Sequence, residues 1–272
     1  MTASRPHHFP IHRTYETYVN PLLSRAFRCV TVWVVLGIMD LSNYTPPPQP
    51  QGIQLDGHLV RLEPLVAEKY SADLFEANTQ IGGEQNWDYL PYGPFSELAE
   101  YTNWLKTIEA EADPCFFAIL GKSDNKAIGV ASYLRIKPND GSIEVGHINF
   151  SPLLQRTTEA TEAMYLMMNW AFEAGYRRYE WKCNSRNLKS RQAAQRLGFS
   201  YEGVFRQATI SKGQNRDTAW FAVIDSEWPK LKLVFNDYLE HCYQLNGEKP
   251  SKSLSELTKP MLYKLDTLEF ID

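Results

Sequence analysis

The sequence predicts an α/β fold with a mixed, mostly antiparallel sheet flanked by helices, and three observations predict it. Residues 142–150 and 180–184 read as strands, each followed by a helix, at 160–174 and 187–197. A helical crossover between strands implies parallel pairing. Upstream, residues 115–120 and 127–135 are apolar runs joined by a short polar turn, the pattern of an antiparallel hairpin. The composition, 43% apolar and 22% charged over 272 residues, supplies ample core for one domain plus tails.

The elements follow in order. Residues 1–51 read as a poorly ordered extension: Arg5, Arg13, Arg25 and Arg28 outweigh Glu16 and Asp40, and the proline-rich run 45–51 is a linker not expected to pack. The apolar run 29–39 is far shorter than the roughly 20 residues of a membrane helix and lies too deep for an ordinary signal peptide. The extension is either a presequence, which would make the protein mitochondrial, or a tail or start-site artefact on a cytoplasmic protein. Residues 53–64 form a hairpin with its turn at Asp56 and Gly57. Residues 67–77 and 97–111 are amphipathic helices. The loop between them, 87–95, is rich in aromatics: it is either a hydrophobic clasp over the helices or a recognition wall formed by Trp87, Tyr89 and Tyr92. In the helix over 160–174, Ala163, Leu166, Met167, Trp170 and Ala171 make one apolar stripe. Beyond residue 229 comes an apolar-rich helix, 231–245, that docks either on the domain or on a second subunit, leaving a dimer possible. Residues 251–272 carry no motif.

The point where the strand 142–150 hands over to its helix is chemically distinctive. Thr157 and Thr158 are caps for that helix, whose first turn holds N–H groups without partners inside the helix. With Arg156 beside them, they suit a phosphate group. The four cysteines have no ligand spacing, so neither zinc nor a disulfide framework is expected, and a reducing compartment is favoured. A formal net charge of −4 gives no reason to expect nucleic acid or an anionic membrane as a partner.

The run QRTTEATEA over 155–163 resembles the acetyl-CoA pyrophosphate loop of the GCN5-related N-acetyltransferase (GNAT) superfamily, in its RimJ/RimL-like branch. Gln155 and Ala160 match the pattern Gln/Arg-x-x-Gly-x-Gly/Ala. Glu144-Val-Gly146, Asn187-x-x-Ser190, Leu197-Gly-Phe199 and the strand 217–221 agree with it in order and spacing. The resemblance spans roughly residues 52–229, leaving 230–272 as a C-terminal helical extension. It implies a sheet splayed at the cofactor strands and an enzyme that transfers acetyl from acetyl-CoA to a primary amine without a metal. Cofactor contacts are implied at Ile148, Phe150, Gln155, Arg156, Thr157, Thr158, Glu159, Ala160, Asn187 and Ser190, and acceptor contacts at Trp87, Tyr89 and Tyr92.

Two positions depart from the pattern. Thr158 replaces a loop glycine, which ordinary helical angles would accommodate, and Ala194 stands where many members have a tyrosine acid. Thioester aminolysis needs a base at the amine, donors at the carbonyl and an acid for the thiolate. The candidates are Glu144, His147 and Ser190. Three positions apart on a regular strand, Glu144 and His147 face opposite sides, and Glu144 is favoured as base. The plainer readings are a paired carboxylate, a hydrogen-bonded histidine, and helix capping by Asn187 and Ser190. The alternatives to acetyl transfer are another acyl donor such as succinyl-CoA, or a CoA-binding sensor that has lost catalysis.

Overall fold

A computed structural model describes residues 40–244 and 250–268. The apolar run 29–39, and with it most of the presequence reading, lies outside the described residues. The chain divides into two compact units, residues 1–43 and 44–272. Among the described residues all regular elements belong to the second.

The expected hairpin is β1 (Leu55–Asp56) with β2 (Val60–Pro64), and the aromatic loop lies between α1 (Ala67–Asn78) and α2 (Leu98–Ile108). Next come β3 (Cys115–Gly121), β4 (Ala127–Lys137) and β5 (Ser142–Phe150). Then α3 (Thr158–Glu173), β6 (Arg178–Asn184) and α4 (Leu188–Arg196) alternate. The hairpin β7 (Ser200–Ser211) and β8 (Gln214–Ile224) precedes α5 (Trp228–Gln244) and α6 (Leu254–Thr258). Among the described residues eight strands form one sheet in the order β1-β2-β3-β4-β5-β6-β8-β7, and only β5 and β6 run parallel. The expected mixed sheet with helical flanks is therefore present.

β3 reads as unbroken apolar sequence because both its faces are buried. Phe117 and Ile119 enter the core under α3, while Phe116, Ala118 and Leu120 enter a second core under α1 and α2. The buried face of α3 differs from the expected stripe. Ala160, Ala163, Met164, Met167, Met168 and Ala171 are buried, whereas Leu166 and Trp170 are half-buried at its margin. Glu162, also buried on α3, accepts the N–H groups of His58, Leu59 and Val60 at 2.6, 2.7 and 2.8 Å and the Tyr243 hydroxyl at 2.5 Å. That carboxylate ties the first hairpin to the central helix.

The flanking segments pack more closely than expected. Pro47 and Pro50 are buried, Tyr176 donates to the Pro48 carbonyl at 3.1 Å, and Tyr44 donates to that of Pro138 at 2.9 Å. An extended proline run leaves its carbonyls free to accept, so this linker packs. The choice left open for the C-terminal helix is resolved toward the domain: Trp228, Leu231, Phe235 and Leu239 of α5 join the core under α3. The motif-free tail is also anchored. Ser253 and Glu256 form a capping box that starts α6, and Asp266 holds Arg191 of α4 at 2.7 and 2.6 Å with both side chains almost fully buried.

Removing one member of a buried pair strands the other charge, at about 3–5 kcal/mol. Asp266→Ala should therefore lower the urea midpoint by an amount corresponding to that loss. A midpoint within about 0.5 kcal/mol of wild type, the usual range for surface changes, would show the tail is not anchored by this pair.

Candidate active site

β5 and β6 pair at only four positions, Ser142↔Arg178 to Val145↔Trp181. Beyond them β5 follows β4 to Gly129↔Phe150, and β6 follows β8 to Asn184↔Thr218. The strands part, and a cavity of about 1230 Å³ opens between them. Its walls are the β5 and β6 ends, the turn 155–158, the start of α4, the loop 88–91 and residues of α5 and α6. Ser151 N–H donates to the Ile128 carbonyl at 3.2 Å. By the alternation of antiparallel ladders, the Phe150 peptide groups then point away from β4, toward the gap. The Phe150 carbonyl is already engaged, by Gln155 Nε2 at 2.7 Å and Asn86 Nδ2 at 3.0 Å. Ile148 lines the cavity beside it.

At the cavity mouth Arg156 takes a left-handed conformation, φ 63°, and turns the chain into α3. Thr157 is the N-cap: its hydroxyl donates to the Leu154 carbonyl at 2.7 Å and accepts Ala160 N–H at 3.1 Å. Thr158 is the first residue of the helix, so a threonine fits the loop position where the family pattern has a glycine. The N–H groups of this first turn and the positive end of the helix dipole form an anion-suited corner. Arg156, Thr157, Thr158 and Ala160 line it; Glu159, on the same turn, does not.

The other end of the cavity is set by two β-bulges. The β4–β5 register shifts between Val130 and Ser132, and His147 has φ 49°. Because of this irregularity Glu144 and His147 both line the cavity, where a regular strand would have sent them to opposite faces. The register shifts again after Leu134, with Arg135 at φ 47°. The Asp113 carboxylate holds that bulge by accepting Arg135 N–H at 2.8 Å and Ile136 N–H at 3.0 Å. Arg135 Nη1 then reaches Glu144 Oε1 at 2.7 Å, and Lys182 Nζ makes an ion pair with Oε2 at 2.8 Å. Sequence reasoning missed both cations, whose signal is only that residues 144 and 182 lie on neighbouring parallel strands. Burial pushes the Glu144 carboxyl up, the two cations pull it back, and burial wins.

The aromatic loop is divided between the core and the cavity wall. Trp87 is buried in the core under α1 and α2, packed edge-on to Phe95 and Tyr101, and does not line the cavity. Tyr89 lines it, its hydroxyl donating to the Arg186 carbonyl at 3.3 Å. Tyr92 stacks on His147, with its hydroxyl 3.1 Å from Nδ1. Lys212, in the β7–β8 turn, donates to the Trp87 and Gly93 carbonyls at 2.9 and 3.1 Å and clasps the loop from the far side. On α4, Asn187 is the N-cap, its Oδ1 accepting Ser190 N–H at 3.0 Å. Ser190 Oγ accepts Trp181 Nε1 at 3.0 Å and also contacts the Cys183 thiol. Ala194 is fully buried. Among the described residues, no group of His, Cys, Asp or Glu could hold a metal ion, and no helix is long and apolar enough to cross a membrane.

Burial, reinforced by the Arg135 and Arg216 charges, pulls the His147 ring down from 6.5 to about 4. Between those values the unfolded chain binds a proton the folded one refuses, so this histidine subtracts stability as pH falls from 6.5 to 4. An NMR titration of the His147 ring should show a midpoint near 4; a midpoint near 6.5 would mean the ring is solvated.

Comparison with known proteins is consistent with this geometry. A family model described as an acetyltransferase (GNAT) domain matches residues 60–200. The solved structure of a GCN5-related N-acetyltransferase from Brucella melitensis is 43% identical, covers 80% of this chain and 99% of its own, and superposes with a TM-score of 0.76. Two further solved structures share the fold. The GNAT-family acetyltransferase from Bacillus anthracis is 16% identical, with 64% of this chain and 99% of its own covered at a TM-score of 0.54. The microcin C7 self-immunity acetyltransferase MccE, in complex with acetyl-CoA and AMP, is 21% identical, with 62% and 93% covered at a TM-score of 0.54. No curated protein matches the chain. With more than half its length matched by the family model and a relative 43% identical over most of its residues, the chain belongs to the GNAT acetyltransferase family.

Proposed function

We propose that the protein is an acetyl-CoA-dependent N-acetyltransferase that acetylates a primary amine by direct attack in a ternary complex. The observation that carries this reading is the continuous cavity from the first turn of α3, along the parted β5 and β6, to Glu144 and His147. It has an anion corner at one end, open strand backbone along its length and ionisable groups at the other, which is the order of parts in acetyl-CoA. MccE, of like fold, binds acetyl-CoA. Residues 52–229 form the catalytic domain, and from the C-terminal helical extension that begins at residue 230, Tyr238, Leu254 and Glu256 line the cavity.

In this reading Gln155, Arg156, Thr157, Thr158, Glu159 and Ala160 form the pyrophosphate turn, with the N–H groups of residues 156–159 and the Arg156 charge as donors. Gln155 acts at one remove, since its amide holds the Phe150 carbonyl and Asn86. Ile148 and the Phe150 N–H face the pantetheine arm, and Asn187 adds the amide donor its cap does not use. The acceptor enters past Tyr89, with Tyr92 behind the wall on His147 and Trp87 bracing their loop from beneath.

A primary amine loses a proton, attacks the thioester carbonyl and forms a tetrahedral intermediate; that intermediate collapses, breaking the C–S bond and releasing the thiolate. Glu144 takes the proton through a water, its basicity raised by burial. His147, neutral at pH 7 and hydrogen-bonded to Tyr92, lines the acceptor side. Ser190, at the start of α4 beside the arm, donates to the leaving sulfur.

Thiol release from acetyl-CoA over an amine panel tests the reading. Glu144→Gln should lower kcat by about 10²–10⁴, the usual contribution of a positioned base, while acetyl-CoA binding measured by calorimetry is retained. In the wild type the acid limb of kcat/KM should lie above the ordinary carboxylate value, since a base works only when deprotonated and burial raises this one. Unchanged turnover in Glu144→Gln would remove the carboxylate from the mechanism, and failure to bind acetyl-CoA at all would remove the mechanism itself.

A further inference from the structure

Among the cations on the cavity wall, Arg216 is the one whose side-chain nitrogen is buried without a partner among the described residues. Arg216 lies near the start of β8, opposite Thr209 of β7, and its side chain lines the cavity. Its Nε is buried without a hydrogen-bond partner, and among the described residues its guanidinium makes no ion pair. The charges around it are already allotted. Glu144 is held by Arg135 and Lys182, Glu180 by Lys182 and Arg178, and Glu202 by Arg178. Glu144, the carboxylate whose charge reaches Arg216, is therefore already taken by two other cations. Asp88 and Glu256 also line the cavity, but Asp88 makes no ion pair with Arg216 and Glu256 is engaged in the α6 capping box.

Arginine cannot shed its proton in a protein, and burying an uncompensated charge is costly. Burial and the neighbouring Arg135 both press against the charge of Arg216. Such a group is satisfied when an anion arrives, and its planar fork suits a carboxylate bidentately. Its position narrows the anion further. Arg216 lines the same cavity as Glu144 and is close enough to feel the charges of Glu144 and Arg135, so an acceptor whose amine approaches Glu144 brings a carboxylate to Arg216 only if the two groups are separated by a few bonds.

We propose that the acceptor is a free amino-acid-like amine whose carboxylate is seated on Arg216, with the half-exposed Arg135 guanidinium beside it. This assignment rests on the N-acetyltransferase reading and adds the substrate class to it. Arg216 fixes the carboxylate so that the amine, between Tyr89 and Glu144, faces the acetyl group. It binds substrate and takes no part in proton transfer.

The test compares free α-amino acids with their matched carboxamides as acceptors, by thiol release, in wild type, Arg216→Gln and Arg216→Lys. In wild type, kcat/KM should favour each acid over its amide by at least about tenfold, the discrimination expected when a polar site is left unpaired by the poorer ligand. Arg216→Gln should erase that preference, chiefly by raising KM for the acids, with acetyl-CoA binding retained. Arg216→Lys should restore part of it. Acids and amides used equally by wild type would overturn the proposal without recourse to any variant, as would acetylation confined to peptides. Preference for acids retained in Arg216→Gln would overturn it too. Thiol release that ignores the carboxylate leaves the N-acetyltransferase reading standing, whereas no release from any amine removes both.

Discussion

The parting of β5 and β6 is the constraint on which the rest of the structure depends. Two parallel strands that stay paired to their ends would bury their backbone and leave no cavity. Here pairing stops after Val145 and Trp181, and beyond that point each strand follows its outer partner. β4 keeps β5 through Phe150, and β8 keeps β6 through Asn184. The unpaired inner edges would be a liability on any exposed sheet. They are covered instead by α3, α4 and the C-terminal segment, which leave a shaped space with free peptide groups facing it.

Charge holds the two strands together just before they separate. Glu144 and Glu180 stand directly opposite each other, an arrangement that like charges disfavour. Lys182 relieves it by contacting both carboxylates, at 2.8 and 2.7 Å, while its ammonium lies 3.8 Å from the Trp220 ring centroid. Arg135 approaches from the other side on a bulge held by Asp113. The same carboxylate that secures the fork in the sheet therefore sits on the cavity wall. The plain reading of Glu144 as a paired carboxylate and its reading as a base describe one buried, raised group.

Local pattern made much of this legible. The strand–turn–helix at 142–174, the cap at Thr157, the Asn187 start of α4 and the parallel crossover all follow from residues within a few positions of each other, and so could be read from the chain. What escaped depends on pairing between distant segments. His147 joins Glu144 on the cavity wall because of a register shift against β4, and no periodicity in β5 alone announces it. Arg135, Lys182 and Arg216 meet only through sheet order. The full length of β7 and β8 was missed although a signal was present: Lys212 and Gly213, both at positive φ, make the two-residue turn typical of a hairpin. The tail's hold on α4 through Asp266 left no local trace, because its partner lies 75 residues away.

The most direct measurement is backbone hydrogen exchange with and without acetyl-CoA, read along β5 and β6. If the parted strands hold the cofactor arm, the amides of residues 146–150 and those opening α3 should slow when acetyl-CoA is added, while the paired segment 142–145 stays as it was. Slowing elsewhere with no change at 146–150 would place the cofactor outside the gap and contradict the account.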